Sequence, residues 1–291
     1  MSIGISHLSD YSIEPRYQAT VVSTERITPD ASDEDVRELV LDVDRPNLPY
    51  EIGQSIGVLA PGDPALGEEH HLRLYSVADL PERSDAGRPR IKIAVRRCSY
   101  IDEFTGERHP GISSNYLCDL RPADTLTITG PFGLAFEVPE DHDTSLILVG
   151  SGTGIAPFRA FVKHLYRNVP GWTGPVWLFH GARSGLELLY MNDRKNDFAQ
   201  YCDEATFQAF TALSPRPSWA EPIAWHQMLT ERADDLLALL TDAKTRVYLA
   251  GLEEMRDHLD EALAKVAGSP EKWTRRKAEL MAGGRWVELL Y

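Results

Sequence analysis

Three short stretches of this sequence carry residues whose types and spacing could do chemistry. The first, 150-GSGTGIAPF-158, follows an apolar run and opens a helical pattern. Glycines at 150, 152 and 154 let a ligand approach the backbone closely, and a helix start offers unpaired N–H groups to a phosphate. Pro157 suits a first helical turn, where no N–H is required. No Gly-Lys-Ser/Thr follows, so a nucleoside triphosphatase loop is excluded, and the spacing of the usual dinucleotide fingerprint is absent too. On its own the stretch reads as a nucleotide loop or as a tight turn. The second stretch, 73-RLYS-76, sets Arg73, Leu74, Tyr75 and Ser76 in a β run. There an arginine, a ring and a hydroxyl could meet a phosphate, stack on a flavin and hydrogen-bond to it, or could be a surface Arg and a core Tyr. The third, 111-GISSNYLCDL-120, puts serines ahead of a short helix, where they cap it or help to bind a phosphate. The 130-GPFG-133 turn follows it.

The elements that must position these stretches change character along the chain. From Tyr17 to Val138 short β runs such as VRELVLDV, SIGVLAPG, HLRLYSVA, RIKIAVRR and TLTITG are punctuated by turn residues, which predicts an antiparallel barrel or sandwich. Residues 1–16 form a tail and 139–144 a polar linker. From Ser145 to Tyr291 apolar runs (SLILVG, PVWLFHG, TFQAFTA, RVYLAG) alternate with helical patterns, one of them WHQMLTERADDLLALL. Phe158, Phe161, Val162 and Leu165 fall at i, i+3, i+4 and i+7. That alternation predicts a doubly wound parallel sheet with helices on both faces. The fold expected is an antiparallel β-barrel domain followed by an α/β domain.

Bulk properties narrow the function. A net charge of −14 argues against nucleic acid, whose phosphates need a basic footprint. No apolar run approaches the roughly 20 residues that span a bilayer, and the N-terminus has no leader pattern. Cys98, Cys118 and Cys202 are too scattered for a metal or iron–sulfur site and read as reduced thiols of a cytoplasmic protein.

The motifs occur together and in order, and in this the chain resembles the plant-type ferredoxin–NADP reductase family from about Tyr17 to Tyr291. The matching stretches are YEIGQSIGV, RLYS, GISSNYLCDL, GPFG, GTGIAPFRAF, WLFHGAR with LLY, and YLAGLEEM. The resemblance implies FAD on the β domain, NADP(H) on the α/β domain, and electron transfer between the coenzyme and ferredoxin or flavodoxin. It implies that Arg73 meets the FAD pyrophosphate, that Tyr75 beside Leu74 stacks on the flavin, and that Ser76 sits near its reactive nitrogen. Arg96 would approach a phosphate or ribose, and Gly111, Ile112 and Ser113 would line the pyrophosphate, with Ser114 near the hydride-transfer centre. Thr153 and Gly154 would hold the nicotinamide end, with Arg183, Gly251, Leu252 and Met255 along the coenzyme's path. Tyr291 would cover the flavin face and swing aside.

Departures from the family pattern set further expectations. Ala250 stands where the family has a cysteine, which predicts altered coenzyme positioning more than lost chemistry. Glu288 lies one residue from the family's glutamate position, which Leu289 takes, so a catalytic role requires a local shift. Ser214 and Arg216 are assigned to the 2′-phosphate and Trp225 to adenine stacking, favouring NADPH over NADH, although no lysine precedes Trp225. Residues 83–97 hold Arg83, Arg88, Arg90, Lys92, Arg96 and Arg97 against Asp85, either a docking patch for an acidic carrier or a solvated basic hairpin. The alternatives weighed are a reductase component of a multicomponent oxygenase, a non-catalytic flavin-binding electron-transfer subunit, and a flavin-free Rossmann dehydrogenase.

Overall fold

In the computed structural model, which describes residues 8–62, 67–102, 104–133, 136–219 and 221–291, the chain divides between Glu137 and Val138 into two units. The first is built from β1 (Tyr17–Arg26), β2 (Val36–Val43), β3 (Ser55–Pro61), β4 (His70–Ser76), β5 (Glu82–Arg83), β6 (Pro89–Arg96), β7 (Ser99–Ile101), β8 (Arg108–Pro110), α1 (Ile112–Asp119) and β9 (Thr125–Phe132). Seven strands form an antiparallel sheet in the order β4-β3-β9-β1-β2-β6-β5. A bridge from Val77, just past β4, to Ile93 on β6 curls the sheet into a barrel. The period-2 pattern does this work. Ile91, Ile93 and Val95 of β6 turn inward onto Leu39, Leu41, Val58 and Ile128, so Arg90, Lys92 and Arg96 turn outward. Helix α1 packs on β3, β4 and β6 and buries Leu117 and Cys118. Burial among these apolar side chains pushes the Cys118 thiol up to about 12, so it stays a thiol.

The second unit contains β10 (Leu146–Ser151), α2 (Ala156–Asn168), β11 (Val176–Ala182), β12 (Phe207–Leu213), α3 (Trp225–Thr230), α4 (Ala233–Thr241), β13 (Arg246–Gly251), α5 (Glu253–Val266), α6 (Pro270–Ala282) and β14 (Trp286–Leu290). All five strands run parallel, in the order β12-β11-β10-β13-β14. The chain starts at the centre, winds out to one edge, returns, and winds to the other. The crevice beside the carboxyl end of β10 is therefore the topological switch point, where open α/β sheets take their ligands. Every residue of β10 and β11 is buried, which is why these strands read as unbroken apolar runs. On α2 the spaced residues Phe158, Phe161, Val162 and Leu165 are at most 1% exposed, and each contributes about 1.5–3 kcal/mol by leaving water.

Two elements differ from the sequence pattern. The helical run after Trp225 is two helices, because Arg232 leaves helical geometry (φ −126°) and donates from Nη1 back to the Met228 carbonyl. Helix α6 has its own start signal, with Ser269 Oγ accepting from the Lys272 N–H and Pro270 in the first turn.

Candidate functional site

In the barrel unit the candidate residues gather where β4 meets α1. The Ser113 side chain, 3% exposed, donates to the His71 carbonyl and ties the start of the helix to the strand. No side chain caps α1 at Gly111, so its first-turn N–H groups have no capping acceptor. Ser114 and Asn115 are used for another purpose. Ser114 Oγ accepts from the Cys98 N–H and donates to the Gly111 carbonyl, while Asn115 Nδ2 donates to the Cys98 and Gly111 carbonyls. They fix the loop shape and leave the helix start open beside β4. Arg73 on that strand is exposed, and its guanidinium donates to the carbonyl of Leu72. Ile112 is partly exposed and Leu74 half-buried. Ser76 lies across the ladder from Ser55, their hydroxyls 3.3 Å apart. Tyr75 packs on the barrel core, and burial raises its phenol well above the ordinary range, so the ring stays neutral.

In the α/β unit the candidates gather at the switch point. Residues 152–155 form a 3-10 turn leading into α2, and no side chain caps either start. Gly154 lies so close to β13 that a Cβ there would come within 2.3 Å of the Ala250 carbonyl oxygen. Ala250 is itself buried, Met255 is 4% exposed and Leu252 is open to solvent. Thr153 Oγ1 and the Tyr291 hydroxyl are 2.7 Å apart, and the Tyr291 N–H donates to the Gly251 carbonyl. Thr153, Gly154, Gly251 and Tyr291 are thus brought together.

Glu288 is not. Along β14 the side chains alternate, and Trp286, Glu288 and Leu290 share the face opposite Val287, Leu289 and Tyr291. The Glu288 carboxylate accepts from Trp286 Nε1 at 2.6 Å and faces Lys277 Nζ at 3.4 Å, at the α6 side of the sheet. The sequence offset is therefore real, and the strand's two-residue period turns the carboxylate away from Tyr291.

Trp225 is corrected as well. It is 2% exposed in the core beneath the sheet, and a Cβ at Gly181 would meet its ring at 2.2 Å, so no face is open to adenine. The open indole in this region is Trp219, 75% exposed, with the Arg216 guanidinium 5.5 Å from its ring centroid. Arg216 forms an ion pair with Glu221, and the buried Ser214 hydroxyl donates to the Glu221 carbonyl at 2.7 Å. Arg183 is half exposed and stands 3.9 Å from Glu187. The sequence held a signal for the exchange of tryptophans. Trp225, Met228 and Leu229 follow core spacing, whereas Trp219 stands in a polar, proline-flanked loop.

The basic stripe of residues 83–97 is largely neutralised. Arg90 makes a bidentate pair with Asp42 across the β2–β6 ladder (2.7 and 3.0 Å). Lys92 pairs with Asp79, Arg96 lies 4.0 Å from Glu34, and Arg97 bonds Asp35 and Asp119. Arg83 donates to the Pro46 and Gly87 carbonyls. Only the Arg88 guanidinium lacks a partner among the described residues.

Comparison with known proteins agrees with this fold. The family model for the oxidoreductase NAD-binding domain matches residues 148–261. Ferredoxin–NADP reductase from Plasmodium falciparum superposes with a TM-score of 0.70 at 18% identity, over 97% of this chain and 98% of that one. The ferredoxin–NADP reductase of Thermosynechococcus vestitus is 33% identical over 91% of this chain and 70% of its own length. That of a Spirulina species is 31% identical over 95% of both chains. The chain belongs to the ferredoxin–NADP reductase family. It is an oxidoreductase, and the cofactors of its family are FAD and NADP(H). The residues present fit both groups. An exposed arginine beside an uncapped helix start suits a pyrophosphate, and the glycine-lined switch point suits a dinucleotide. Among the described residues no group of three or more metal-ligating side chains occurs, and no helix is long and apolar enough to cross a membrane.

One buried group has no part in this frame. His180 on β11, the ladder partner of Gly150, has no exposed surface, and neither ring nitrogen finds a hydrogen-bond partner among the described residues. Burial pushes its pKa down to about 3, so it is held neutral.

Proposed function

We propose that this protein is a FAD-dependent ferredoxin–NADP reductase that moves electrons between NADP(H) and a one-electron protein carrier, ferredoxin or flavodoxin, in the cytoplasm. The observation that carries the reading is Tyr291, parked by hydrogen bond on Thr153 at the switch point of the parallel sheet. An aromatic ring resting on a nucleotide loop is a cover that must leave before a nicotinamide can be seated there.

The division of labour follows from the two units. Residues 17–138 form the flavin domain and 145–291 the coenzyme domain. Bound FAD would accept a hydride and release electrons singly. Arg73 and the N–H groups at Ile112 and Ser113 bind its pyrophosphate beside Gly111, whose own N–H donates to the Cys98 carbonyl. The neutral Tyr75 supplies a stacking ring, and Arg96 serves the ribose or a phosphate. Ser76 offers a hydroxyl donor to the flavin ring, and Ser114, held by Cys98 and Gly111, sets the loop beside it. Thr153 and Gly154 receive the nicotinamide end, with Gly251 and Leu252 beside it and Arg183 further along. Arg216 reads the 2′-phosphate bidentately, with Ser214 anchoring its loop, and Trp219 stacks on adenine. Three unpaired cysteines suit a reducing compartment. The carrier is acidic, and Arg88 is the cation free to meet it.

The test is anaerobic mixing of the purified protein with NADPH and, separately, NADH, following the flavin band. Rapid bleaching by NADPH with NADH much slower is expected. Faster bleaching by NADH would overturn the role of Arg216, and a bound flavin that neither coenzyme reduces would leave only a non-catalytic subunit.

A further inference from the structure

The loop between β12 and α3 carries an anion at the place where the coenzyme's own anion is to be read. The segment leaves the sheet and returns on a closed path. The Ala224 N–H donates to the Leu213 carbonyl at its base, the Trp219 N–H donates to the Arg216 carbonyl at its tip, and the Ser214 hydroxyl, 5% exposed, donates to the Glu221 carbonyl. The Ser214 bond holds the main chain of Glu221 beside Arg216. The Glu221 carboxylate is presented to the Arg216 guanidinium, which lies between it and the indole of Trp219. Arg216 remains 62% exposed in its side chain against 28% for Glu221. The cation is thus reachable from solvent while the anion is held in the loop.

A 2′-phosphate and the Glu221 carboxylate want the same donors. A guanidinium accommodates one planar bidentate acceptor on each edge, and an added dianion close to a carboxylate is repelled by it. The neutral 2′-hydroxyl of NAD(H) meets neither obstacle. We infer that Glu221 is a coenzyme-selectivity residue, an internal anion that occupies Arg216 and that a 2′-phosphate must displace or share. This rests on Arg216 being the 2′-phosphate reader, as proposed above. Under it, Glu221 lowers affinity for the phosphorylated coenzyme without changing contacts to the rest of the molecule, and it keeps the charged loop organised when no coenzyme is bound.

The experiment titrates the FAD-loaded protein calorimetrically with adenosine 2′,5′-bisphosphate and with 5′-AMP, at one ionic strength, and involves no turnover. The variants are Glu221→Gln, Glu221→Ala and Arg216→Met, each checked for an unchanged melting temperature. Removing an exposed ion pair and a like charge should tighten bisphosphate binding by about three- to tenfold in both Glu221 variants, with 5′-AMP changed by less than about twofold. Arg216→Met should weaken the bisphosphate alone. If Arg216→Met weakens the bisphosphate while both Glu221 variants bind it as the parent does, the inference falls and the role of Arg216 stands. If the Glu221 variants tighten both ligands equally, the effect is general electrostatics and the inference falls. If Arg216→Met changes nothing, both the inference and the phosphate-reading role are overturned.

Discussion

The two units treat the arginines proposed to read phosphates in opposite ways. In the barrel, Arg73 is exposed and bonded to the carbonyl of its neighbour, next to a helix start that no side chain caps. In the α/β unit, Arg216 and Arg183 each face a carboxylate, Glu221 and Glu187. The same unit parks Tyr291 on Thr153. A site with unmet donors gains most by never letting its ligand go, whereas a site with internal substitutes for the ligand's contacts can release it at small cost. The difference matches a prosthetic group held for the life of the protein in one unit and a coenzyme exchanged at every turnover in the other.

The contrast can be broken or sharpened by experiment. The largest effect is expected at Arg73. Replacing it with methionine removes a charge-assisted contact of about 1.5–3 kcal/mol, so FAD should bind roughly ten- to a hundredfold more weakly. The flavin-to-protein ratio after dialysis measures this, and full flavin retention would break the comparison at its root. The second effect is confined to the α/β unit. His180 is neutral when folded but takes a proton when unfolded below the ordinary imidazole range, so the unfolded state binds more protons as pH falls from 6.5 toward 3. Stability is therefore present above pH 6.5 and lost on acidification, by about 2 kcal/mol between pH 7 and pH 5. Melting curves across that range should show the loss, and His180→Leu should flatten it. An unchanged slope would mean that His180 has an unseen partner.

A smaller effect is expected for Tyr291→Phe, which keeps the ring and removes its bond to Thr153. Losing about 0.5–1.5 kcal/mol from the closed state should tighten NADP⁺ binding by roughly two- to tenfold, with flavin content unchanged. Weaker binding would show that the hydroxyl serves the coenzyme and not the cover. The smallest is Arg88→Glu, which should slow reduction of an acidic carrier by a few-fold at low salt and leave dye reduction intact. The neighbouring Arg90 is unsuited to that test, because breaking its pair with Asp42 disturbs the ladder itself.

The fold was legible because its signals are local. Unbroken apolar runs announced β10 and β11, and alternation announced β6. Both domain types followed from the change between those patterns. The segments of the site were legible for the same reason, since RLYS, GISSNYLCDL and GTGIAPF are contiguous. What could not be read was pairing across the chain. A stripe of six cations looked free because its carboxylates, Glu34, Asp35, Asp42 and Asp79, come from other strands or turns of the barrel. Glu288 was judged by its distance from Tyr291 along the chain, whereas the strand's alternation decided its direction. Trp225 was given adenine stacking from the aromatic position of the family pattern, and the helical spacing of Trp225, Met228 and Leu229 that buries it was the better guide.

The contact between Gly154 and the Ala250 carbonyl has a practical consequence for anyone reshaping this enzyme. With a Cβ held 2.3 Å from a backbone oxygen, position 154 accepts no other residue without moving a strand. A mutant library spent on that position would return chiefly damaged scaffolds. One spent on residues 214–221, where Arg216 and Trp219 face solvent, could retune which dinucleotide is drawn from the cell's pool while the hydride-transfer geometry is inherited intact.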